Sequence, residues 1–430
     1  MKMTRITIAA GAALALIAGV AGCSASGGAG AATSAKPEPA NIRVWFMQDS
    51  VPQSAQDFLV SQFEKENKGS TLQVQVQQWA GIAQKLQTSL PSKDQTPDIV
   101  ETGNTQTSTF SSVGAFSDIS SVKSQLGGKN LVQSFIDSAT WDGKLYGVPL
   151  YAGSRSVYFR TDMFKAAGIS VPTTIDELQT DIAKLQAANP EKVPGFSSIY
   201  LSANDVHAAE SWLFANGGNY AVKKNGKWVG DLTSADSQRA LTQLQEIWAH
   251  DTSYGMDSTV AANGMYNLFN QGKVGMMVGT LNVSTKISPD LMSSGKVGMF
   301  AFPSNTPGVA GKTFAGGSNV SISAASKNQV AAQSALKIIM GKTFQSLMAK
   351  DGGWVPGNLT YANALTGPFA KAAKAAVVNS TLTPNTPQWG IAGANNLLPN
   401  FYTSIAKGQD PMTVAKSVDA TITQTLNASN

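Results

Sequence analysis

Two periodicities alternate between residues 42 and 104, and this alternation restricts the fold more than any other stretch of the chain. Residues 42–46 begin a strand that runs out into Met47, Gln48 and Asp49. Ser54 then caps a helix whose Phe58, Leu59 and Phe63 share one face. Residues 72–76 alternate as a second strand and 81–90 have helical spacing. Residues 98–100 form a short buried strand ending at Glu101, Thr102, Gly103 and Asn104. Strand-helix-strand-helix-strand order predicts parallel strands with helices on the faces, an α/β fold. Further on, Trp141-Asp142-Gly143-Lys144 is a turn, followed by a strand through Pro149 and another over 156–160. Thr174 and Glu177 fit a capping box opening a helix through Ala188. Helices follow at 205–215, 234–250 and 261–271, with a hairpin signal at Lys224-Asn225-Gly226. Residues 274–278, 297–301 and 320–323 read as strands, and the chain is mostly helical from Gln329 onward.

The amino terminus has a different character. Lys2 and Arg5 precede an uncharged run from Ile6 to Val20 that leads into Val20-Ala21-Gly22-Cys23. This is the plan of a secretory leader, charged first, apolar next, small residues at the cut, and the apolar run is too short for a comfortable membrane span of ~20 residues. A cysteine at the cut resembles the lipobox of bacterial lipoproteins. Residues 1–22 are thus expected to be a signal peptide and Cys23 to carry a diacylglyceryl anchor. Residues 23–40, rich in Ser, Gly, Ala and Pro, are expected to be a flexible tether. Cys23 is the only cysteine, so the folded part is expected to lack disulfides, thiolate chemistry and Cys-based metal sites.

Roughly 390 residues follow the tether, enough for two or three units or one two-lobed body. The hydrophobic content of 42% supplies real cores. The formal charge of +5 includes Lys2 and Arg5, which leave with the leader, and charged residues are 14% of the chain. A nucleic-acid partner is therefore not expected. With only His207 and His250, a three-histidine zinc site is impossible, and no HExxH helix or G-x-S-x-G elbow exists. Residues 308–313 look like half a P-loop but lack its first glycine, and read as a loop. A carboxylate pair for glycoside hydrolysis stays open, because its separation is a property of the fold.

Several segments together resemble a known family. They are Ile42-Arg43-Val44-Trp45, Pro97-Asp98-Ile99-Val100, the stretch from Trp141-Asp142-Gly143-Lys144 to Pro149, and Tyr158-Phe159-Arg160-Thr161-Asp162 running on to Gly168. Later ones are Phe269-Asn270-Gln271-Gly272-Lys273-Val274-Gly275, Ala325-Ser326-Lys327-Asn328 and Ala406-Lys407-Gly408-Gln409-Asp410. In this order they resemble the extracellular solute-binding proteins of sugar ABC importers, the maltodextrin-binding-protein-like family. The resemblance implies a two-lobed periplasmic-binding-protein-like fold (type II), closing on hinges around a ligand cleft. The first lobe would hold 41–150 plus about 318–341, and the second 151–317 plus about 342–430. It also implies a non-enzymatic, cofactor-free monomer, lipid-anchored outside the cytoplasm, handing a mono- or oligosaccharide to a membrane permease.

Carried over by the same resemblance, the contact candidates are Gln48 and Asp49 after the first strand, and Asn104, Thr105 and Gln106 after Val100. Tyr151, Ser154 and Arg155 follow at the crossover after Pro149. The second lobe would add His207, Glu210, Leu281 and Asn282, with Gly316 and Gly317 near a crossover, then Trp354 and Trp389. These groups supply the amides, charges and rings that a sugar's hydroxyls and C–H faces require. Thr102, Leu281 and Gly153 depart from the maltodextrin pattern, which implies a smaller or differently shaped saccharide. Plainer roles stand beside these. Trp45 and Trp248 lie within predicted elements and read as core. His250 would meet terminal carbonyls of its helix, His207 would cap or pack its own, Asp49 and Arg155 would pair with each other, and the two glycines would free a hinge. A polyamine or peptide binder of the same fold, and a lipid-anchored glycosidase, remain as alternatives.

Overall fold

In the strand Asn41–Met47 both faces are covered by helices. Ile42, Val44 and Phe46 join one core with Leu59 and Phe63 of the helix Gln53–Glu66. Trp45 and Met47 join another with Ile82 and Leu86 of the helix Ile82–Ser89. Two-sided burial is what a parallel strand inside a sheet requires. The strand pairs in parallel with Thr71–Gln77 and with Ile99–Gly103, as the alternation predicts. This computed structural model describes residues 38–257, 264–394 and 396–428. The expected leader, Cys23 and all but the end of the tether lie outside them.

The first sheet has six strands, in the order Val355–Pro356, Val148–Ala152, Gly317–Ile322, Ile99–Gly103, Asn41–Met47 and Thr71–Gln77. Gly317–Ile322 returns from far along the chain and runs antiparallel to both of its neighbours. Asp98 fastens this return. Its carboxylate accepts hydrogen bonds from the Arg43 amide (2.8 Å), the Ser326 hydroxyl (2.6 Å) and the Asn328 side-chain amide (3.1 Å). Three of the motifs that carried the family resemblance are thereby one structural joint.

The second sheet has four strands, in the order Val297–Ala301, Ser156–Arg160, Val274–Gly279 and Ser197–Tyr200. Val157 and Phe159 face a core built with Leu178, Ile182, Trp212 and Leu241, while Tyr158 points to the opposite face with Met277 and Phe369. The helix Ile175–Ala188 opens with the expected capping box, Thr174 accepting from the Glu177 amide and Glu177 from the Thr174 amide. Asp142 and Gly143, and Asn225 and Gly226, all have positive φ, which gives the two expected turns their tight reversal.

The described residues from Pro39 onward form one body of two lobes, one around each sheet. Only Gly153, Ser154 and Arg155 separate Val148–Ala152 of the first sheet from Ser156–Arg160 of the second. Phe344 and Met348 of the helix Lys342–Lys350 pack in the same core as Phe46 and Leu59, so the returning chain stays with the first sheet as far as Val355–Pro356.

Two local expectations are corrected. Ser54 does not cap the first helix, because Pro52, with its φ of −64°, takes the cap position two residues earlier, and the Ser54 hydroxyl donates to Asp351. His250 lies in a wider π-turn, Ile247–Asp251, and faces Glu246 at 3.6 Å instead of terminal carbonyls. Among the described residues, no helix is long and apolar enough to cross a membrane.

Candidate functional site

Strand ends of the two sheets meet around a cavity of about 280 Å³. From the first sheet, Gly103 closes a strand and the first turn of the helix Asn104–Ser112 follows at once, so Asn104, Thr105 and Gln106 line the cavity together. The opening amides of a helix lack intrahelical partners and suit a ligand oxygen. Asn104 is also structural, donating its side-chain amide to the Ala315 carbonyl.

Aromatic walls come from three separate places. Tyr151 and Trp354 stack with ring centroids 4.4 Å apart, tilted by 30°. Trp79, which is 41% exposed, faces the same cavity from the loop beyond Thr71–Gln77. Gly153 makes the stack possible, since a Cβ there would stand 2.8 Å from the Trp354 ring. Behind Tyr151, its hydroxyl lies 3.0 Å from Ser50 Oγ and accepts from Ser318 Oγ at 3.1 Å.

Two polar atoms in the cavity wall are buried without a partner, Gln106 Oε1 and Arg155 Nε. One is an acceptor and the other a donor, the pair a hydroxyl needs on both of its sides. Arg155 does form an ion pair, but with Asp205 at 2.9 Å and not with Asp49. That pair uses Nη2 and leaves Nε buried and unpartnered in a residue of the cavity wall.

A second cavity, of about 430 Å³, shares Thr105, Gln106, His207 and Phe314 with the first and extends to Glu210 and Trp389. His207 stacks on Phe314 at 4.4 Å with the rings 5° from parallel, and its Nδ1 lies 2.5 Å from Glu210 Oε1. Glu210 is buried beside Tyr220 and Tyr402, whose hydroxyls are 2.8 Å apart. Burial first, and the neighbouring Glu210 charge next, push the Tyr402 hydroxyl well above its ordinary range. Trp389 stacks on Tyr220 at 5.3 Å and is mostly buried.

Of the residues singled out in the sequence, Asn104, Thr105, Gln106, Tyr151, Arg155, His207, Glu210, Gly316, Gly317, Trp354 and Trp389 line one or both cavities. Gln48, Asp49, Ser154, Leu281 and Asn282 line neither. Asp49 adopts a left-handed φ of 61° that turns the chain beyond the first strand, and Gln48 donates its backbone N–H to the Gln77 carbonyl. Leu281 is buried among apolar side chains, and Asn282 accepts from the Thr280 hydroxyl. Trp45 and Trp248 are buried, as read. Sequence reasoning missed Trp79, Phe314 and Ser318. Trp79 stood directly beyond a strand, where contact residues were sought, and that signal could have found it.

Two α/β lobes, a three-residue crossover and a cavity of rings and unpaired polar groups where strand ends meet define a protein that holds a small polar solute between its lobes. The chain belongs to the bacterial extracellular solute-binding proteins, whose family model matches residues 48–345. It is similar to the diacetylchitobiose-binding protein DasA of Streptomyces coelicolor, with 29% identity across 88% of each chain. A putative binding protein of Brucella abortus is 26% identical over 69% of this chain and 71% of its own. In fold it resembles the GacH receptor of Streptomyces glaucescens, solved unliganded and with acarbose, at a TM-score of 0.77, 20% identity, and coverage of 91% of this chain and 100% of that one. The sugar-binding protein MalE of Xanthomonas citri gives a TM-score of 0.78 at 18% identity, covering 90% and 97%.

Proposed function

We propose that this chain is the saccharide-binding lipoprotein of an ABC importer, capturing a mono- or oligosaccharide between its lobes and delivering it to a membrane permease. The observation that carries the reading is the first cavity, where Trp79, Tyr151 and Trp354 stand beside the unpaired Gln106 Oε1 and Arg155 Nε. Flat rings suit the C–H faces of a sugar, and an unpaired donor and acceptor suit its hydroxyls. The diacetylchitobiose ligand named for DasA and the acarbose named for GacH are of the same chemical class and support the choice.

The other readings find less support. A polyamine needs carboxylates, and among the described residues the only one on either cavity wall is Glu210, bound to His207. A glycosidase needs two carboxyl groups across its cleft. Calorimetric titration with diacetylchitobiose, maltose, lactose and simple hexoses, beside spermidine and short peptides, is expected to show saturable binding for a saccharide only. Binding of spermidine or a peptide with no saccharide bound, or release of reducing ends from a glycan, would sink the reading.

The lobes that accompany this reading are 41–152 with 317–356, and 153–316 with 357–428. They differ from the sequence boundaries because Phe344, Met348 and Val355 pack or pair with first-sheet residues or strands. The protein acts as a monomer, tethered outside the cytoplasm by lipid on Cys23. Cys23→Ala is expected to move the protein from the membrane fraction to the soluble one while leaving saccharide affinity within about twofold of wild type. A membrane fraction that keeps the variant would overturn the anchor.

A further inference from the structure

Glu101 is an unexpected residue at the heart of the first sheet. It lies on the strand Ile99–Gly103, is fully buried, and follows two apolar residues that fill cores on either face. Its Oε2 accepts a hydrogen bond from the Met47 amide at 2.8 Å. Its Oε1 has no hydrogen-bond partner, although the hydroxyls of Ser318, Ser50 and Tyr151 surround it. A carboxyl group in such a place costs more to bury than a leucine or a glutamine of similar size, so its retention asks for a role.

The groups around it lead to the ligand cavity. The Asn41–Met47 strand contributes a backbone amide, the turn after it Ser50, the Gly317–Ile322 strand Ser318, and the Val148–Ala152 strand Tyr151, with no cation or second carboxylate from any of them. Ser50 and Ser318 both meet the Tyr151 hydroxyl, and the Tyr151 ring carries Trp354 on the cavity side. One side chain therefore separates Glu101 from the ligand.

We propose that Glu101 is a positioning residue for the Tyr151–Trp354 stack, and that its proton makes saccharide capture pH-dependent. The inference rests on the saccharide reading of the cavity. A protonated Oε1 is a donor set among the hydroxyls of Ser50, Tyr151 and Ser318, and a short approach would let it donate to one of them, although in this structure it has no partner. When the proton leaves, Oε1 is an acceptor only, and those hydroxyls, which already meet at Tyr151, must turn to donate toward it. Desolvation lifts the Glu101 carboxyl from 4.5 to about 7, so both forms are populated near neutrality.

The sign follows from water exclusion. A ligand over Tyr151 and Trp354 shields Glu101 further and raises its pKa in the complex. The complex then binds more protons than the free protein, so affinity is highest below pH 7 and falls as pH rises through and beyond it. One further unit of upward shift corresponds to about a tenfold change in Kd.

The test is calorimetry on the wild type, Glu101→Gln and Tyr151→Phe between about pH 5.5 and 8.5, with proton uptake read from buffers of different ionisation enthalpy. It is joined by a carbon-13 carboxyl titration of ligand-free protein. The wild type is expected to lose affinity several-fold across that range with fractional proton uptake, Glu101→Gln to give a flat profile, and Tyr151→Phe to keep the proton uptake, because the Glu101 carboxyl and its desolvation remain. Glu101→Gln keeps the shape and the acceptor for Met47, and the carboxyl titration of the ligand-free wild type supplies an independent readout should it fold poorly. A flat wild-type profile, a slope that survives in Glu101→Gln, or a carboxyl midpoint near 4.5 overturns the proposal. If no saccharide binds at any pH, the saccharide reading fails. The proposal then stands or falls on whether near-ultraviolet circular dichroism of the stack titrates near pH 7 in the wild type and not in Glu101→Gln.

Discussion

Trp354→Ala is expected to weaken saccharide binding by about 2–3 kcal/mol, roughly a 30- to 150-fold rise in Kd. The ring is held before any ligand arrives. Tyr151 lies against one face at 4.4 Å, the Trp354 amide donates to the Met348 carbonyl at 3.1 Å, and Gly153 leaves the space the ring fills. A platform fixed in this way spends little of its contact energy on ordering. Calorimetric titration of the variant measures the loss directly. Trp45→Phe is the companion variant, because Trp45 is buried away from the cavity and bonded to Gln75. It should lower the melting temperature and leave Kd within about twofold. An unchanged Kd in Trp354→Ala would remove the ring from the site.

Gly317→Val is expected to cost at least about 3 kcal/mol of folding stability. Gly317 has a φ of +130°, which L side chains rarely adopt, and a Cβ there would stand 2.4 Å from the Tyr151 carbonyl oxygen and 2.9 Å from the Phe135 ring. Neither neighbour is free to yield, because Tyr151 belongs to a paired strand and Phe135 is fully buried. Gly308→Ala makes the contrast. Gly308 has a φ of +73° with open space where its Cβ would project, so only backbone strain of about 1 kcal/mol is expected. Urea denaturation of the two variants separates the terms, and equal losses would show that steric crowding at Gly317 has been misjudged.

The sequence was informative where a single element carries both the signal and its cause. The parallel core of the first sheet followed from the alternation of residues 42–104, and the Thr174 capping box follows from four adjacent residues. Side chains next to strand ends, such as Thr105, Gln106 and Arg155, were also legible, because topology sends those ends to the cavity. What escaped depends on partners far along the chain. Phe314 belongs to a two-residue strand that pairs with Ser380 and Thr381, and nothing near residue 314 announces that pairing. The Arg155 partner proved to be Asp205 and not Asp49, because the left-handed turn at Asp49 leads its loop elsewhere. Glu101 was read as the polar end of a short strand. Its burial is imposed by Met47, Ser50, Tyr151 and Ser318, which three other segments bring to it.

The crossovers carry one more implication. The Gly153 amide donates to the Gly316 carbonyl at 2.8 Å, and the ladder continues at once through Gly317 and Ala152. Two of the connections between the lobes are therefore stitched into a single ribbon and do not flex as independent threads. Such a ribbon bends readily about one line and resists twisting or sliding. The search for the engaged geometry then becomes nearly one-dimensional, and the toll that random interlobe motion would take on capture speed is largely removed.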